Sequence, residues 1–498
     1  MPLLFGSSDS SEANRLARMI KRKEARKLAS RIYTTDLTTA PEELVRSDLP
    51  AIIRHFYPGA VISHRTAIEA KPSPAYVYHV THGRKNKIHK LPGVTLRVWK
   101  GAAAQAGDTQ LGADLFIASR PRALLENLTE SRARGGAERK TLGRAAVEGW
   151  LDRLCRIHGP DELRRLLVAA EELAPMLDLA ESALRARTMI TALVEGTHAE
   201  TLVSAVGRAR ARREPYDPDR LALFTRLATR LATECFAPLP ERPQVERRLH
   251  AFWEAYFSNY IEGTVFTIQE AREIVFDHKL PPARPKDAHD ILSTFHLATD
   301  GYNCREIPSD ANDFLRLLEV RHARLMHDRL DVGPGRFKET ANRVGTREFV
   351  NPELVRGTLR QSFEIGRHLE QPVARGAFMM FAIAEVHPFN DGNGRLARLF
   401  LNAELTARNC SRLIVPTSLR GDYLSSLEAL TVGEYPDPFI RLLGRMITFS
   451  ISLPCSSWEN SVAALENSGA LKDAPSGLWG SPVTGGNSPF MSAIRTAN

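Results

Sequence analysis

Apolar residues recur at helical spacing through most of the second half of the chain. Residues 378–384 are all apolar, and Leu396, Leu399 and Leu405 follow after a short polar stretch. This pattern predicts a buried helix, a loop and a second helix. Residues 241–450 as a whole have the spacing of one long α-helical region.

The first part of the chain has a different pattern. Residues 75–80 and 94–99 alternate between apolar and polar positions, which predicts two strands. Residues 112–128 predict a further strand and helix. Residues 15–31 predict a basic helix or helix pair, and Ile32-Tyr33-Thr34 a short strand. An α+β region therefore precedes the helical region.

At 498 residues the chain is too long for one ordinary core, so several domains are expected. Polar, serine-rich ends with few apolar residues predict disorder. We predict a disordered segment 1–14, a basic winged-helix-like segment 15–60, an α/β domain 61–180, a helical linker 181–240, a helical domain 241–455 whose first helix is 244–262, and a disordered tail 456–498.

Composition narrows the class of protein. Hydrophobic content of 43% and charged content of 25% are typical of a globular protein. Long uncharged apolar runs are absent from the sequence, so we expect no membrane partner, and the four-residue apolar patch near the start is too short for a signal peptide. Five scattered cysteines without CxxC spacing predict a reducing, cytoplasmic setting and argue against a zinc site or a disulfide framework.

The net charge of +9 is unevenly distributed. Residues 1–100 hold 18 Lys and Arg against 8 Asp and Glu, a balance of +10, so the rest of the chain is close to neutral. A basic module attached to a neutral body suggests contact with a polyanion such as DNA. A solvated basic surface that only aids solubility explains the same charge, and both interpretations stay open.

The polar stretch between the two predicted helices carries the candidate chemistry. Gly392, Asn393 and Gly394 let the backbone turn tightly and approach a ligand, and the following helix N-terminus favours an anion. Arg395 and Arg398 lie one helical turn apart, so both can face the same phosphate. The stretch therefore predicts a phosphate-binding loop.

Two more residues of this stretch add reactive groups. Asp391 is a hard oxygen ligand suited to Mg²⁺, and His387 has an intrinsic pKa near neutrality, so it can accept a proton from a hydroxyl. A lone histidine is usually a core residue, and a lone Gly-Asn-Gly is usually a turn. The joint occurrence of these residues within twelve positions favours the functional interpretation.

The loop matches the HPFx(D/E)GNGRxxR signature of the Fic (Fido) family at every position, within a region of similarity over about 240–450. The resemblance implies a mainly α fold, a helical bundle with a β-hairpin flap. It also implies transfer of AMP from ATP and Mg²⁺ to a hydroxyl of a target protein. The implied roles are general base for His387, Mg²⁺ ligand for Asp391, anion hole for Gly392, Asn393 and Gly394, and β- and γ-phosphate binding for Arg395 and Arg398.

Further segments resemble other parts of the Fic family. Residues 335–338 are similar to its G-x-(F/Y)-R segment, although Lys338 stands where arginine is usual. Residues 341–350 are similar to its β-hairpin flap, which implies that Asn342, Arg343 and Val344 dock the target segment. Tyr423 is similar to a tyrosine of the adenine pocket, and Leu424 replaces a second one.

A third similarity lies upstream of the loop. Ser258-x-x-x-Glu262-Gly263 resembles the family's inhibitory helix, in which a glutamate occupies the arginine needed by the γ-phosphate. The alternative is a surface glutamate at a helix end. The complete loop signature downstream favours the inhibitory interpretation.

The N-terminal part carries a separate resemblance. Residues 56–67, the two predicted strands and residues 119–128 are similar to AbiEi-type antitoxins, over about 10–180. That family combines a DNA-binding winged helix with an α/β domain. The resemblance implies DNA as a partner of the basic N-terminal region.

Together these patterns predict a cytoplasmic, autoinhibited protein adenylyltransferase that uses ATP and Mg²⁺. Its acceptor is a Ser, Thr or Tyr hydroxyl of a target protein or of the chain itself, and a second copy of the chain is a further candidate partner. The alternatives are a DNA-binding, antitoxin-like regulator with a nucleotide-sensing core, transfer of another phosphate-containing group, and removal of AMP.

Overall fold

The computed structural model describes residues 3–6, 9–71, 73, 75–83, 86–129, 131, 138–301, 304–345 and 347–473. The chain divides into two compact units, Met1–Arg213 and Glu214–Asn498. Among the helices in these described ranges, none is both long and apolar enough to span a membrane. The predicted disorder of residues 474–498 lies outside the described residues.

The first unit is an α+β structure. Its elements are β1 (Leu3–Phe5), α1 (Ser10–Lys21), β2 (Arg26–Ala29), β3 (Ile32–Thr34), α2 (Pro41–Ser47), α3 (Leu49–Phe56), β4 (Ala60–Ile62), α4 (His64–Glu69), β5 (Val77–His82), β6 (Lys87–Leu91), β7 (Val94–Lys100), β8 (Thr109–Gln110), β9 (Leu115–Ile117), α5 (Arg120–Asn127), α6 (Arg144–His158), α7 (Pro160–Leu177), α8 (Ala180–Glu195) and α9 (Ala205–Ala211).

Two sheets organise this unit. The small sheet has the order β1-β3-β2, and the six-stranded sheet has the order β6-β7-β5-β4-β9-β8. In β7, Val94, Leu96 and Val98 are buried and the residues between them are not, as alternation predicts. These side chains pack with Ile52 and Ile53 of α3. The predicted strands and the α+β class of this region are therefore present.

The second unit is a helical bundle with one β-hairpin. Its elements are α10 (Pro218–Ala232), α11 (Gln244–Ile261), α12 (Ile268–Asp277), α13 (Pro285–Thr299), α14 (Ala311–Leu325), β10 (Arg343–Val344), β11 (Arg347–Glu348), α15 (Pro352–Gly366), α16 (Pro372–Val386), α17 (Asn393–Ala407), α18 (Arg420–Gly433), α19 (Asp437–Ser452) and α20 (Trp458–Asn467).

Helix α16 forms the centre of this unit. It is buried on almost every side, which explains why its sequence is apolar all round. The rings of Phe378 and Phe381 each contact Phe224 of α10 at a centroid distance of 6.1 Å. At Gly376 a Cβ would lie 2.9 Å from the carbonyl oxygen of Leu401, so the glycine lets α16 approach α17 closely. The loop joining these two helices is thereby anchored at both ends.

Two predicted boundaries in the N-terminal half were wrong. Residues 1–14 are not disordered where the structure describes them, because β1 pairs with β3 and α1 begins at Ser10, capped by Asp9. The predicted linker 181–240 is not one segment. Helices α8 and α9 join the helical core of the first unit, which runs from Leu124 to Ala211, whereas α10 packs in the second unit.

The predicted tail was also too long. Helix α20 lies within residues 456–473, and Leu465 is fully buried against the second unit's core. The Trp458 ring stacks on Trp253 of α11 at 5.3 Å with an interplanar angle of 18°. Aromatic packing overrides the polar composition of this segment.

Replacing Trp458 by alanine tests the contribution of α20. We expect Trp458→Ala to lower the free energy of unfolding by about 2 kcal/mol, below the roughly 3–5 kcal/mol of a fully buried aromatic residue. Denaturant titration followed by circular dichroism measures this change. Val432→Ala is the control, because Val432 is mostly exposed. Equal midpoints for the two variants would show that α20 is not packed as described.

Candidate functional site

The candidate site is the loop between α16 and α17. Helix α16 ends where His387 adopts a left-handed conformation, with φ +52°. Helix α17 begins after Gly392, whose φ is +75°, and a Cβ at that position would lie 2.7 Å from the Met326 sulfur. Both the backbone conformation and the close contact therefore require glycine at 392.

Asn393 holds the loop in a fixed shape. The backbone N–H of Phe389 donates to its Oδ1, and its Nδ2 donates to the carbonyl oxygen of Phe389, both at 2.9 Å. Asn393, the predicted anion-hole asparagine, is thus buried and joins the loop to the start of α17 by two hydrogen bonds. The first N–H groups of a helix have no intrahelical acceptor, so the start of α17 has donors for an anion.

His322 of α14 supports the loop from behind, and sequence reasoning missed it. Its Nε2 donates to the carbonyl oxygen of Asp391 at 3.0 Å, and its Nδ1 accepts from the Gly335 N–H at 2.9 Å. The ring stacks on Phe389 at 3.7 Å. Burial lowers the pKa of His322 to about 4, so the ring is neutral and can both donate and accept. A single histidine on a helix gives no sequence signal of this role.

His387 lies beside the hairpin β10–β11. Its ring stacks on Phe349 at a centroid distance of 3.9 Å. Its Nδ1 is 3.4 Å from the carbonyl oxygen of Ala384, an arrangement that places the proton on Nδ1 and the lone pair on Nε2. Burial, followed by the charge of Lys338, lowers the pKa of His387 to about 3. The imidazole is therefore neutral and has one nitrogen able to accept a proton.

Arg398 is buried and contacts α11 and α18. Its Nη2 pairs with Glu262 Oε1 at 2.6 Å and also donates to the carbonyl oxygen of Ser258 at 2.9 Å. Its Nε donates to Ser258 Oγ at 2.9 Å, and its Nη1 lies 3.4 Å from the Tyr423 hydroxyl. The structure therefore brings Ser258, Glu262, Arg398 and Tyr423 together.

The Glu262 carboxylate lies against the loop as well as against the arginine. Helix α11 ends one residue before it, and Gly263 then turns the chain with φ +93°. A Cβ added to Gly394 would overlap Glu262 Oε1. Gly394 therefore leaves room for a carboxylate at the start of α17. The Glu262 side chain is 32% exposed, so one side of this contact faces solvent.

Arg395 contacts different side chains from those that Arg398 contacts, and its binding of a phosphate stays a prediction. Its Nη1 pairs with Asp290 of α13 at 2.9 Å, and its Nη2 lies 3.6 Å from Asp391 Oδ2. Asp290 is buried and also binds Arg329 at 2.6 Å. A buried carboxylate needs charged partners, and Arg395 and Arg329 supply them to Asp290.

Asp391 presents an accessible carboxylate at the edge of the loop. Its Oδ1 accepts from the Gly392 N–H at 2.6 Å, and 49% of the side chain is exposed. An oxygen ligand with a free solvent side suits Mg²⁺, which usually keeps several waters. Asp391 therefore fits the predicted metal ligand.

The hairpin is tied to the loop by Lys338 and Asn342. Lys338 Nζ donates to Asn342 Oδ1 at 2.6 Å, and Asn342 Nδ2 donates to the carbonyl oxygen of Phe389 at 3.0 Å. Burial lowers the pKa of Lys338 to about 7. Arg343 pairs with Glu348, and Val344 with Arg347, in antiparallel register. Asn342 thus anchors the predicted flap, while Arg343 and Val344 form its first strand.

Tyr423, the tyrosine assigned to the adenine pocket by resemblance, lies next to Arg398. Its side chain is almost fully buried, and its hydroxyl is directed at Arg398. Contact with an adenine ring stays a prediction. The described geometry assigns Tyr423 to the surroundings of the arginine.

The neutral histidines make the stability of this unit depend on pH. Unfolded histidine takes up a proton below about pH 6.5, whereas His387 and His322 have a folded pKa of about 3 and about 4. The unfolded state therefore binds more protons in this window, and stability falls as pH decreases from 6.5 toward 4.

Thermal unfolding between pH 7 and 4 measures this effect. In His322→Phe, which keeps a ring on Phe389, we expect a pH slope shallower by up to about 1.4 kcal/mol per pH unit. His296→Phe is the control, because His296 is exposed on α13. Identical slopes in the three proteins would contradict a neutral, buried His322.

Comparison with known proteins identifies the region around the loop. Residues 315–405 match the Fic/DOC family. "Protein adenylyltransferase fic-1" of Caenorhabditis elegans is 27% identical over 230 residues, covering 45% of each chain. "Protein adenylyltransferase Fic" of Drosophila grimshawi is 27% identical over 197 residues, covering 39% of this chain and 40% of the relative. The chain thus spans less than half the length of these relatives.

"Fic-1 (aa134 - 508) from C. elegans" aligns with 19% identity and a TM-score of 0.36, covering 66% of this chain and 90% of that one. The family match includes α16, the loop and most of α17, which are the elements that hold the signature residues. Residues 315–405 of the second unit are therefore similar to the Fic/DOC family, and this similarity includes the loop.

Proposed function

We propose that this chain is an autoinhibited protein adenylyltransferase, which transfers AMP from ATP to a hydroxyl of a target protein. The observation that carries the proposal is the Glu262–Arg398 ion pair beside the signature loop. The names of the relatives support the transfer reaction. The ion pair supports its inhibition in the present conformation.

The residues of the loop suit a polyphosphate. The start of α17 offers backbone donors, and Arg398 offers a buried guanidinium, both of which favour anionic oxygens. Asp391 would hold Mg²⁺, which neutralises phosphate charge and fixes phosphate orientation when bound. Arg395, which is paired with Asp290, would contact the phosphates from the side of the loop where Asp391 lies.

His387 suits the role of general base. The acceptor hydroxyl oxygen attacks the α-phosphorus, its proton passes to Nε2 of His387, and the bond to the β-phosphate breaks to release pyrophosphate. The neutral ring and the proton on Nδ1 leave Nε2 able to accept. Most of the rate enhancement would come from positioning and electrostatics.

The hairpin suits the binding of the target segment. Strands β10 and β11 form a separate two-stranded sheet, so an extended peptide can add to an edge of it by main-chain hydrogen bonds. The contacts from Lys338 and Asn342 hold the hairpin next to Phe349 and His387. A hydroxyl on such a peptide would lie near the base.

Glu262 suits the role of inhibitor for electrostatic reasons. Its negative charge occupies Arg398 and lies over Gly394, where a phosphate oxygen would otherwise bind. Removing the carboxylate leaves a buried cation without its counter-ion, and an unpaired buried charge costs about 3–5 kcal/mol. That cost favours binding of an anionic phosphate in place of Glu262.

The direct test uses ATP labelled on the α-phosphate. We expect Glu262→Gly to raise AMP transfer to protein at least about tenfold, equivalent to about 1.4 kcal/mol, and His387→Ala in that background to abolish it. Glu370→Gly is the matched control, because Glu370 is exposed and remote in sequence from the loop. An inactive Glu262→Gly variant, or activity independent of His387, would overturn the proposal.

The same experiment separates the alternatives on the transferred group. The loop and arginines recognise phosphates, so they specify the base and the acceptor less strongly. Intact-mass analysis after incubation with each nucleotide gives the mass added. An increment other than AMP would identify another transferase, and loss of AMP from a modified substrate would identify the reverse reaction.

A second candidate function is DNA binding by the first unit, for which helix α1 is the supporting observation. Every residue of α1 is at least partly exposed, including Arg15, Arg18 and Lys21. A basic helix face without a packing role suits phosphate contacts. The antitoxin resemblance supports the same function.

A mobility shift on duplex DNA tests this candidate. We expect binding that weakens as salt increases, and that Arg15→Glu with Lys21→Glu reduces it at least about tenfold, because each lost phosphate contact reduces counterion release. Arg164→Glu, an exposed change on α7 of the same unit, should leave binding unchanged. No binding by the unmodified chain at low salt would remove this candidate.

A further inference from the structure

Three side chains that can bind a metal ion lie close together between α13 and the segment after α14. None of them belongs to the site described above. His289 lies on α13, and His327 and Asp328 follow α14. Their ligand atoms all lie within 4.8 Å of one another. His327 Nδ1 is 2.8 Å from Asp328 Oδ1, and His289 Nε2 is 3.3 Å from Asp328 Oδ2. The carboxylate thus stands between two imidazole nitrogens.

We propose that His289, His327 and Asp328 form a binding site for a divalent transition-metal ion of the zinc type. Zinc takes imidazole nitrogen and carboxylate oxygen at about 2.0–2.2 Å, so tetrahedral ligand atoms lie about 3.4 Å apart. The His289–Asp328 distance of 3.3 Å is close to that value, and the His327–Asp328 distance of 2.8 Å is shorter, so the side chains of His327 and Asp328 would have to move apart slightly to bind the ion. Two histidines and one carboxylate also leave a fourth position for water or an added ligand.

The environment of His289 suits a ligand. The Ser293 hydroxyl lies 3.1 Å from Nδ1 and 3.3 Å from Nε2 of the ring. When Nε2 binds a metal, Nδ1–H can donate to this hydroxyl, which is the usual arrangement of a metal-bound histidine.

The side chains of His327 and Asp328 are exposed enough to change position when a metal ion binds. The side chain of His327 is 77% exposed and that of Asp328 is 49% exposed, so small rotations can bring their atoms to bonding distance. Arg329, the next residue in the chain, is paired with other carboxylates. Arg329 Nη2 binds Asp290 at 2.6 Å and Asp287 at 3.1 Å. Its charge is therefore balanced by two carboxylates and opposes a cation less.

A metal ion at this site would hold together the two elements that position the loop through Asp290. His289 precedes Asp290, Asp328 precedes Arg329, and Asp290 also binds Arg395 at 2.9 Å. An ion held by His289 and Asp328 would connect α13 to the end of α14 next to this ion pair. Binding to the folded state alone raises stability. This metal site does not depend on the proposed transfer reaction.

The test measures metal binding to the full chain, prepared without a histidine tag and treated with a chelator. Calorimetric titration gives the affinity for Zn²⁺, and Co²⁺ absorption reports the ligand geometry. The variants are His289→Ala and His327→Ala, with His296→Ala as the control. His296 is exposed on α13 and is not part of the cluster.

We expect one Zn²⁺ per chain, a visible Co²⁺ band and a higher unfolding temperature with Zn²⁺ but not with Mg²⁺. Loss of His289 or His327 should weaken binding at least about tenfold, since even outer-shell changes cost 10–100-fold. His296→Ala should bind like the unmodified chain. Circular dichroism verifies folding, and His327→Ala changes an exposed residue. Equal affinity in the unmodified chain and His327→Ala would overturn the site.

Discussion

The buried charge of Arg398 is the constraint on which the arrangement of the candidate site depends. A guanidinium removed from water needs an anionic partner and acceptors for its N–H groups. Ser258 supplies two acceptors, and Glu262 supplies the charge. Since α17 fixes Arg398 and α11 ends at Ile261, the end of α11 is held against the loop. Under the proposed function, a nucleotide phosphate and Glu262 compete for one cation.

A second set of contacts, none of which involves Glu262, also fixes the conformation of the loop. Asn393 binds both backbone groups of Phe389, and His322 holds the carbonyl of Asp391. Asp290 fixes Arg395 on the other side. These contacts come from α13, α14 and α17, so the site is preorganised by the bundle. The Glu262 side chain is partly exposed, whereas Asn393, His322 and Asp290 are buried, so the Glu262 contact is more easily exchanged than these three.

The features that depend on residues close together in the sequence were predicted. The loop and the helices on either side of it follow from residue types and spacing, and the hairpin follows from the family resemblance. The Glu262–Arg398 contact follows from the family resemblance, although its inhibitory role stays a prediction. Partners distant in sequence were not predictable. Asp290 lies 105 residues before Arg395, and His322 is a lone histidine on a helix. The extent of α20 was missed because its polar composition hides packed residues such as Leu465, and the start of α1 was missed because that helix buries no residue and its first turn has no apolar pattern.

The most direct test of the central claim is a double-mutant cycle on the ATP dissociation constant, with Glu262→Ala, Arg398→Ala and both changes together. If the two side chains act on the nucleotide through each other, Glu262→Ala tightens ATP binding in the unmodified chain and has little effect once Arg398 is absent. The same tightening in the Arg398→Ala background would contradict the account, because Glu262 would then act on ATP without the arginine.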